Sequence, residues 1–351
     1  MGSFCSGLNA FWLALEKINM DKRAVDKFAV DVEASCRNLL QHNFEIENIF
    51  EDVFALDLPS LPAVDIFTAG FPCQPFSKAG LHGGLLDSRG SVVFQCIKYV
   101  ATALPKAFIL ENVSGLVSNH WSAFKDIIRR LRAINEDGEK AYKVVWRVLN
   151  SKEHGLPQNR PRVLIVGIKL SCETERKFTW PAPVPMKPLS KILGPRDPLL
   201  TSHSRDTLPT SGVHLRNLMT LAMKVTQDGG VVGKDYYVGD LQSGRGFGPT
   251  LMKDVSPCLT KARCQGGGYW LFSHGPFMTV HEMLALQGVP PRRITVPANV
   301  SASKFKGMIG NAFDVNLFAR VMLRLLPAVG IKHVMRDDLS NAGSDAEEDQ
   351  M

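Results

Sequence analysis

Hydrophobic positions along the first half of the chain follow two alternating rhythms. Short apolar, β-favouring runs occur at Phe28-Ala29-Val30, Ala63-Val64-Asp65-Ile66-Phe67-Thr68 and Ala107-Phe108-Ile109-Leu110, and each reads as a buried strand. Between them the apolar residues return at helical spacing over Trp12–Ile18 and from Ala34 to about His42. The clearest case is Trp121–Ile134, where Phe124, Ile127, Ile128, Leu131 and Ile134 share one face while Lys125, Arg129, Arg130 and Arg132 lie between them. Alternation of this kind predicts βαβ units and therefore an α/β fold built on a parallel sheet. Two later runs, Val144 to Leu149 and Val163 to Ile168, read as an antiparallel pair.

The rhythm breaks near Thr179. Trp180-Pro181-Ala182-Pro183-Val184-Pro185 forms a stiff connector, and from there to about 275 glycine, proline, serine and basic residues are scattered with little periodicity. The expected organisation is a first domain over 1–178 and a smaller, irregular domain over 179–275. A closing segment over 276–330 follows, its last helix (Val315 to Leu326) packing back on the first domain. The acidic stretch 331–351 reads as a solvated, disordered end.

Composition narrows the class. With 351 residues, 45% hydrophobic and 21% charged, the chain is an ordinary globular protein able to bury a full core. No apolar run approaches the roughly 18 residues a membrane span needs, and the N-terminus lacks the basic-then-apolar pattern of a secretory signal. Seven cysteines without a Cys-x-x-Cys pair argue against a zinc site or a disulfide framework, and for a reducing, intracellular compartment. Residues 337–351 hold six carboxylates and no Lys or Arg, so the formal charge of +7 for the whole chain rises to +13 for the remainder. A body that basic favours a polyanionic partner.

The candidate chemistry centres on Gly70-Phe71-Pro72-Cys73-Gln74-Pro75-Phe76-Ser77, directly after the second apolar run. Two prolines stiffen the turn around one thiol, at the C-terminal end of a strand where open α/β sheets place their ligands. This suits a nucleophile that must meet a substrate atom at a set distance. The segment resembles the catalytic loop of the cytosine-5 DNA methyltransferase family. The resemblance recurs in the family's order from Phe4 to about Leu326, and is weakest between about 172 and 275. It implies a Rossmann-like, S-adenosylmethionine-dependent methyltransferase fold with a smaller irregular target-recognition domain over 179–275.

The resemblance also implies roles residue by residue. Phe4-Cys5-Ser6-Gly7-Leu8-Asn9-Ala10-Phe11 looks like the S-adenosyl-L-methionine loop, with Phe4, Ser6, Gly7 and Leu8 at the cofactor. A second glycine often found in that loop is replaced by Asn9 or Ala10, and the strand before it retains only its last residues. Asp31 would hold the ribose hydroxyls, Val32 would pack on the adenine, and Asp52 would accept from its amino group. Pro72 would also border the cofactor, and Gly310-Asn311-Ala312-Phe313 matches the closing motif, whose Asn311 and Ala312 line the methionine end.

At the reaction centre the implied nucleophile is Cys73, adding as a thiolate to C6 of a flipped cytosine so that C5 can take a methyl group. Glu111, in Glu111-Asn112-Val113, would contact N3 and the N4 amino group. Gln158-Asn159-Arg160-Pro161-Arg162 places two arginines at i, i+2, which on an extended strand point the same way. Arg162 would contact O2 and the catalytic loop, with Arg160 and Gln158 in support and Gln74 and Ser77 on the substrate side. No metal is implied, and the oligomeric state stays open. The implied partner is DNA. A tRNA methyltransferase of the same fold is the alternative, since those enzymes carry a Cys-Phe-Thr motif and this chain has Cys258-Leu259-Thr260. A catalytically silent nucleic-acid-binding homologue is a third reading. The acidic tail points to the nucleus if the host is eukaryotic.

Overall fold

The computed structural model describes residues 1–72, 92–193, 209, 212–244, 248–275 and 277–332. It divides into two compact units. The first comprises Met1–Asn150, Pro161–Pro183 and Leu317–Met351, and the second Ser151–Arg160 with Val184–Asn316. The rhythm of the sequence places its boundaries at 179 and 276 instead. The segment 276–316 therefore groups with the second unit, and so does the short stretch 151–160.

The first unit is organised by a seven-stranded sheet. Its strands are β1 (Gly2–Phe4), β2 (Phe28–Val30), β3 (Ile49–Phe50), β4 (Ile66–Gly70), β5 (Ala107–Val113), β6 (Tyr142–Asn150) and β7 (Pro161–Lys169), in the order β3-β2-β1-β4-β5-β7-β6. The first five run parallel, whereas β7 pairs antiparallel with both β5 and β6. This is the α/β class that the alternation predicts, with the late antiparallel pair at one edge. Strand β1 is central and paired on both sides, with Phe4 opposite Val30 and Ala69.

One face of the sheet buries an aromatic cluster: Phe4 meets Phe67 edge-on at 5.0 Å, and Tyr99 contacts Phe28 at 5.3 Å. Helices α1 (Ala10–Lys17), α2 (Ala34–Asn43), α3 (Val92–Ala103) and α4 (Trp121–Arg132) connect the strands. Both α3 and α4 contribute to this core, through Val93, Cys96 and Val100, and through Phe124, Ile127 and Leu131. Close packing is visible at Gly167, where a Cβ would lie 2.0 Å from the Phe108 ring. The C-terminal helix joins this unit from Leu317 onward, and its Phe318 meets Phe11 of α1 edge-on at 4.6 Å.

The strand order reverses between β1 and β4, since β2 and β3 continue to one side and β5 to the other. At such a switch point the loops leaving the two strands diverge and open a crevice at their carboxyl ends. Here those loops are Cys5–Asn9 and the segment that begins Phe71-Pro72.

The second unit is less irregular than its composition suggests. Its α5 (Gly212–Gln227) lays Leu221 and Val225 on Tyr237, Leu241, Trp270 and Phe272, over a three-stranded antiparallel sheet of Leu251–Lys253, Tyr237–Gly239 and Trp270–Leu271. Leu218, Leu221, Ala222 and Val225 recur at helical spacing, a signal masked by the polar residues flanking them. Helix α6 (Val280–Leu286) starts with a capping box in which Thr279 and Glu282 satisfy each other's backbone N–H groups. Then follow α7 (Ala302–Asn311) and α8 (Val315–Ala328). Among the described residues no helix is long and apolar enough to cross a membrane.

Candidate active site

The carboxyl ends of the parallel strands set the site's first row. Register aligns Phe50 with Val30, Val30 with Phe4, Phe4 with Ala69, and Gly70 with Glu111. Residues just beyond these positions therefore emerge on one sheet edge, which is where the sequence reading places Asp31, Asp52, Pro72 and Glu111.

The loop after β1 is tightly wound. Cys5, Gly7 and Asn9 all have left-handed backbones, at φ +53°, +51° and +55°. Asparagine tolerates that region better than most side chains, which explains how Asn9 stands where a glycine is expected. Its side chain is fully buried and donates to Asp26 Oδ2 at 3.0 Å. Asp26 is itself buried, and burial pushes its carboxyl up to about 6, opposed by the Asn9 hydrogen bond and the Met1 ammonium group. Ser6 locks the loop to the sheet: its Oγ lies 2.7 Å from Ser3 Oγ and accepts from Val30 N–H at 3.1 Å.

Asp31 is anchored to the same loop. Its Oδ2 accepts from Gly7 N–H at 2.8 Å and its Oδ1 from Glu33 N–H at 3.0 Å. Burial raises the pKa of Asp31 while those two donors counteract it. Beside it Val32 is 68% exposed, an unusual fraction for valine at the end of a buried strand. Asp52 Oδ1 accepts from Phe54 N–H at 3.0 Å, closing the turn after β3. Of the expected cofactor residues, Phe4, Ser6 and Leu8 are buried, whereas Gly7, Asp31, Val32 and Asp52 are at least partly exposed.

Glu111 sits near the end of β5 and is 6% exposed. Arg162, on the neighbouring β7, places its Nε 3.0 Å from Glu111 Oε1. Asn112, which the sequence reading quotes without a role, is fully buried and donates from Nδ2 to the Phe71 carbonyl at 3.1 Å. It thereby ties the exit of β4 to the strand that carries Glu111. Its position between Glu111 and Val113 in a recognised motif was the available signal. Cys73, Gln74 and Ser77 follow directly in sequence and lie outside the described residues, as does the acidic stretch beyond 332.

Gln158 and Arg160 belong to the second unit and are committed to it. Gln158 is fully buried: its Nε2 donates to Leu286 O at 2.7 Å and its Oε1 accepts from Leu259 N–H at 2.9 Å. Arg160, 1% exposed, donates from Nη1 to Leu259 O at 2.6 Å and to Cys258 Sγ at 3.3 Å, and from Nη2 to the carbonyls of Gly310 and Ala312. Arg162, by contrast, meets Glu111 of the first unit. Arg160 precedes the strand, where Gln158–Asn159 pairs with Ser256–Pro257, and only Arg162 is within β7. In the same unit Ala312 is buried and Asn311 is exposed at the end of α7.

Three other cysteines are held as thiols. Burial pushes Cys5 and Cys96 far up and Cys264 up to about 12. Among the described residues no group of three His, Cys, Asp or Glu side chains is arranged to hold a metal ion.

A profile described as C-5 cytosine-specific DNA methylase matches residues 1–326. The chain is 38% identical to the Type II methyltransferase M.NgoBV of Neisseria gonorrhoeae over 159 residues, which are 44% of this chain and 37% of that protein. It is 28% identical to the Type II methyltransferase M.NgoBI of the same organism over 315 residues, 88% of this chain and 87% of that one. The chain therefore spans little more than a third of the length of the first of these relatives. Among solved structures, the Entamoeba histolytica methyltransferase EhMeth matches with a TM-score of 0.64 at 16% identity, covering 93% of this chain and 97% of that one. The S. pombe Dnmt2 methyltransferase matches with a TM-score of 0.60 at 16% identity, over 94% and 98%. Likeness at such identity establishes the fold, and the profile match over most of the length establishes the lineage: the chain belongs to the C-5 cytosine-specific DNA methylase family.

Proposed function

We propose that the chain methylates C5 of cytosine in DNA, with Cys73 as nucleophile and S-adenosyl-L-methionine as methyl donor. The observation that carries this reading is the sheet edge at the switch point. There Glu111 is buried against Arg162 on the strand next to the one whose exit, held by Asn112, leads into Pro72-Cys73.

The crevice fits the donor. Gly7 is open on its Cβ side, with nothing nearer than Cys5 O at 4.0 Å, and its N–H orients the Asp31 carboxylate. Asp31 is suited to the ribose hydroxyls, exposed Val32 to the face of the adenine, and Asp52 to its amino group. When bound there, S-adenosylmethionine supplies an electrophilic methyl group.

Cytosine C5 is a poor nucleophile, so the ring must first be activated. A thiolate at Cys73 adds to C6 and drives electron density toward C5 and N3. A protonated Glu111 donates to N3 and accepts from the N4 amino group through its other oxygen, and Arg162 Nε, 3.0 Å from Oε1, holds the carboxyl group in place. After C5 is methylated, loss of the C5 proton and departure of Sγ from C6 restore the ring and the free thiolate. Gln74 and Ser77 remain on the substrate side through the resemblance alone. We assign Arg160 and Gln158 to positioning rather than to catalysis and substrate contact, because both terminal nitrogens of Arg160 and both amide atoms of Gln158 hydrogen-bond to backbone groups of the second unit.

Transfer of labelled methyl from S-adenosylmethionine to duplex DNA and to a small-RNA pool, with Cys73→Ala as control, tests the proposal. Label in DNA that disappears in the variant is the expected result. Label in RNA alone would replace DNA by tRNA as the substrate. No label in either, from folded protein, would refute both enzyme readings.

A further inference from the structure

Beside the proposed active site, the first unit carries a groove of about 670 Å³ that the methylation chemistry does not use. Its floor is aromatic. Trp121 stacks on Phe124 at 5.6 Å and 26°, and Trp146 meets Phe124 edge-on at 4.9 Å. The trio is rigid, because Phe124 is buried in the core and Trp146 lies in a strand, yet Trp121 is 47% exposed.

The rim is cationic, with Lys125 and Arg129 on α4 and Lys140 just before β6. Arg132, also in the lining, binds the helix to the strand by donating to Val144 O at 3.1 Å. On α4 Asp126 is taken up by Arg129 and Arg130. Lys125 and Lys140 have no carboxylate within ion-pair distance among the described residues, and both are exposed.

The topology sets the groove beside the reaction centre. Strand β5 ends at Val113 on the edge that carries Glu111, and the chain then turns through Gly115–Ser118 into α4, whose first residue is Trp121. Trp121 thus lies at the end of the groove nearer the edge that carries Glu111, whereas Lys140, just before Tyr142, lies toward the opposite edge, where β5 begins at Ala107. Three strand spacings of about 4.8 Å, roughly 14 Å in all, separate β4 from β6.

We propose that this groove is a second nucleic-acid contact: it takes a short unpaired stretch of strand, stacking a base on Trp121 and holding the flanking phosphates with Lys125 and Lys140. Stacking on an exposed, pre-positioned indole is sequence-tolerant, and it requires a base whose face is not covered by a neighbour in a duplex. The phosphates complement the lysines, and charge alone would not account for an indole left open at the centre of the site. An acidic peptide offers the charge without the flat apolar face. The inference rests on the nucleic-acid reading above and extends it to a surface outside the methylation chemistry.

The test titrates the full chain with dye-labelled single-stranded oligothymidine and with a duplex of equal length, alongside the methyl-transfer assay. Trp121→Ala is expected to weaken single-strand binding by about ten-fold, as for loss of one base–aromatic stack, with a much smaller effect on the duplex. Lys125→Glu/Lys140→Glu, at exposed positions that leave the core intact, is expected to lower the slope of log affinity against log salt by about 1.4, at about 0.7 per single-strand phosphate. Unchanged single-strand affinity in both variants would overturn the inference, and normal methyl transfer in the same preparations would show that the catalytic reading survives it. Polyglutamate displacing the oligonucleotide with no dependence on Trp121 would overturn it in favour of an anion site. A dimer of the parent chain that Trp121→Ala dissociates would overturn it in favour of self-association.

Discussion

Replacing Arg160 separates positioning from catalysis. Its guanidinium is buried and serves Leu259 O, Gly310 O, Ala312 O and Cys258 Sγ. Of these, Ala312 O keeps a second donor in Gln287 Nε2 at 3.3 Å, and the Gly310 contact is long at 3.4 Å. Leu259 O therefore bears most of the loss. Leu259 O retains a long contact from the Cys258 thiol at 3.4 Å; carbonyls left under-satisfied in this way cost about 1–3 kcal/mol each, and an emptied side-chain volume adds to that. Arg160→Ala should destabilise by about 3–5 kcal/mol, and Arg160→Lys by roughly half of that, because one ammonium reaches a single carbonyl where the guanidinium fork reaches several. Urea unfolding gives the magnitude. Hydrogen exchange gives the location, with faster exchange expected in Lys261–Gln265 and Ala302–Asn311 but not in β5. In the folded Lys variant methyl transfer should fall by no more than the folded fraction and a modest loss of affinity explain. A variant of parental stability that loses about a thousand-fold in kcat would refute the positioning role and return Arg160 to the reacting groups.

Gly310→Ala should destabilise although alanine is the better helix former by about 1 kcal/mol. A Cβ there would lie 2.4 Å from the Thr260 carbonyl group, backbone that cannot rotate away, and overpacking of this kind costs about 1–3 kcal/mol or more. A parental urea midpoint would contradict the close approach of α7 to that backbone. Asp26→Asn should stabilise the protein near neutral pH. With its carboxyl at about 6 in the fold against about 3.9 unfolded, the native state binds the proton more tightly. Stability is therefore lost as pH rises between those values, by about 3 kcal/mol at pH 7. The gap between variant and parent in urea should widen from pH 4.5 to pH 7, and a pH-independent gap would count against a buried, titrating Asp26. Asp31→Ala should raise the KM for S-adenosylmethionine by about ten-fold or more, through loss of an oriented charged acceptor, with a smaller change in kcat. An unchanged KM would remove Asp31 from the cofactor site.

Much of the first unit was legible because its signals are local. Apolar runs and helical spacing mark Phe28–Val30, Ala107-Phe108-Ile109-Leu110 and the helix from Trp121; the strand at Ala107 runs on to Val113, so Glu111 lies among its last paired residues rather than beyond it. The arginine pair shows where local reading stops. Alternation along an extended chain predicts a shared direction for Arg160 and Arg162, but Arg160 lies before the strand and its partners are 98 to 152 residues away in sequence. No periodicity encodes such partners. Asn9 is a subtler case: a missing glycine looked like a defect in the loop, yet asparagine reaches the same left-handed backbone and gains a buried partner in Asp26. In the second unit, α5 was hidden by a narrow apolar stripe among polar residues.

The central claim is that Cys73 forms a covalent bond to cytosine C6 while C5 is methylated. A duplex carrying 5-fluorocytosine tests it directly: once C5 is methylated, fluorine cannot leave as a proton does, so the bond between Sγ and C6 persists. Incubation with S-adenosylmethionine should yield a protein–DNA adduct that survives denaturant, maps to Cys73 by peptide sequencing, and is absent from Cys73→Ser. An adduct retained in that variant, or methylation of ordinary DNA with no trapped adduct, would contradict it.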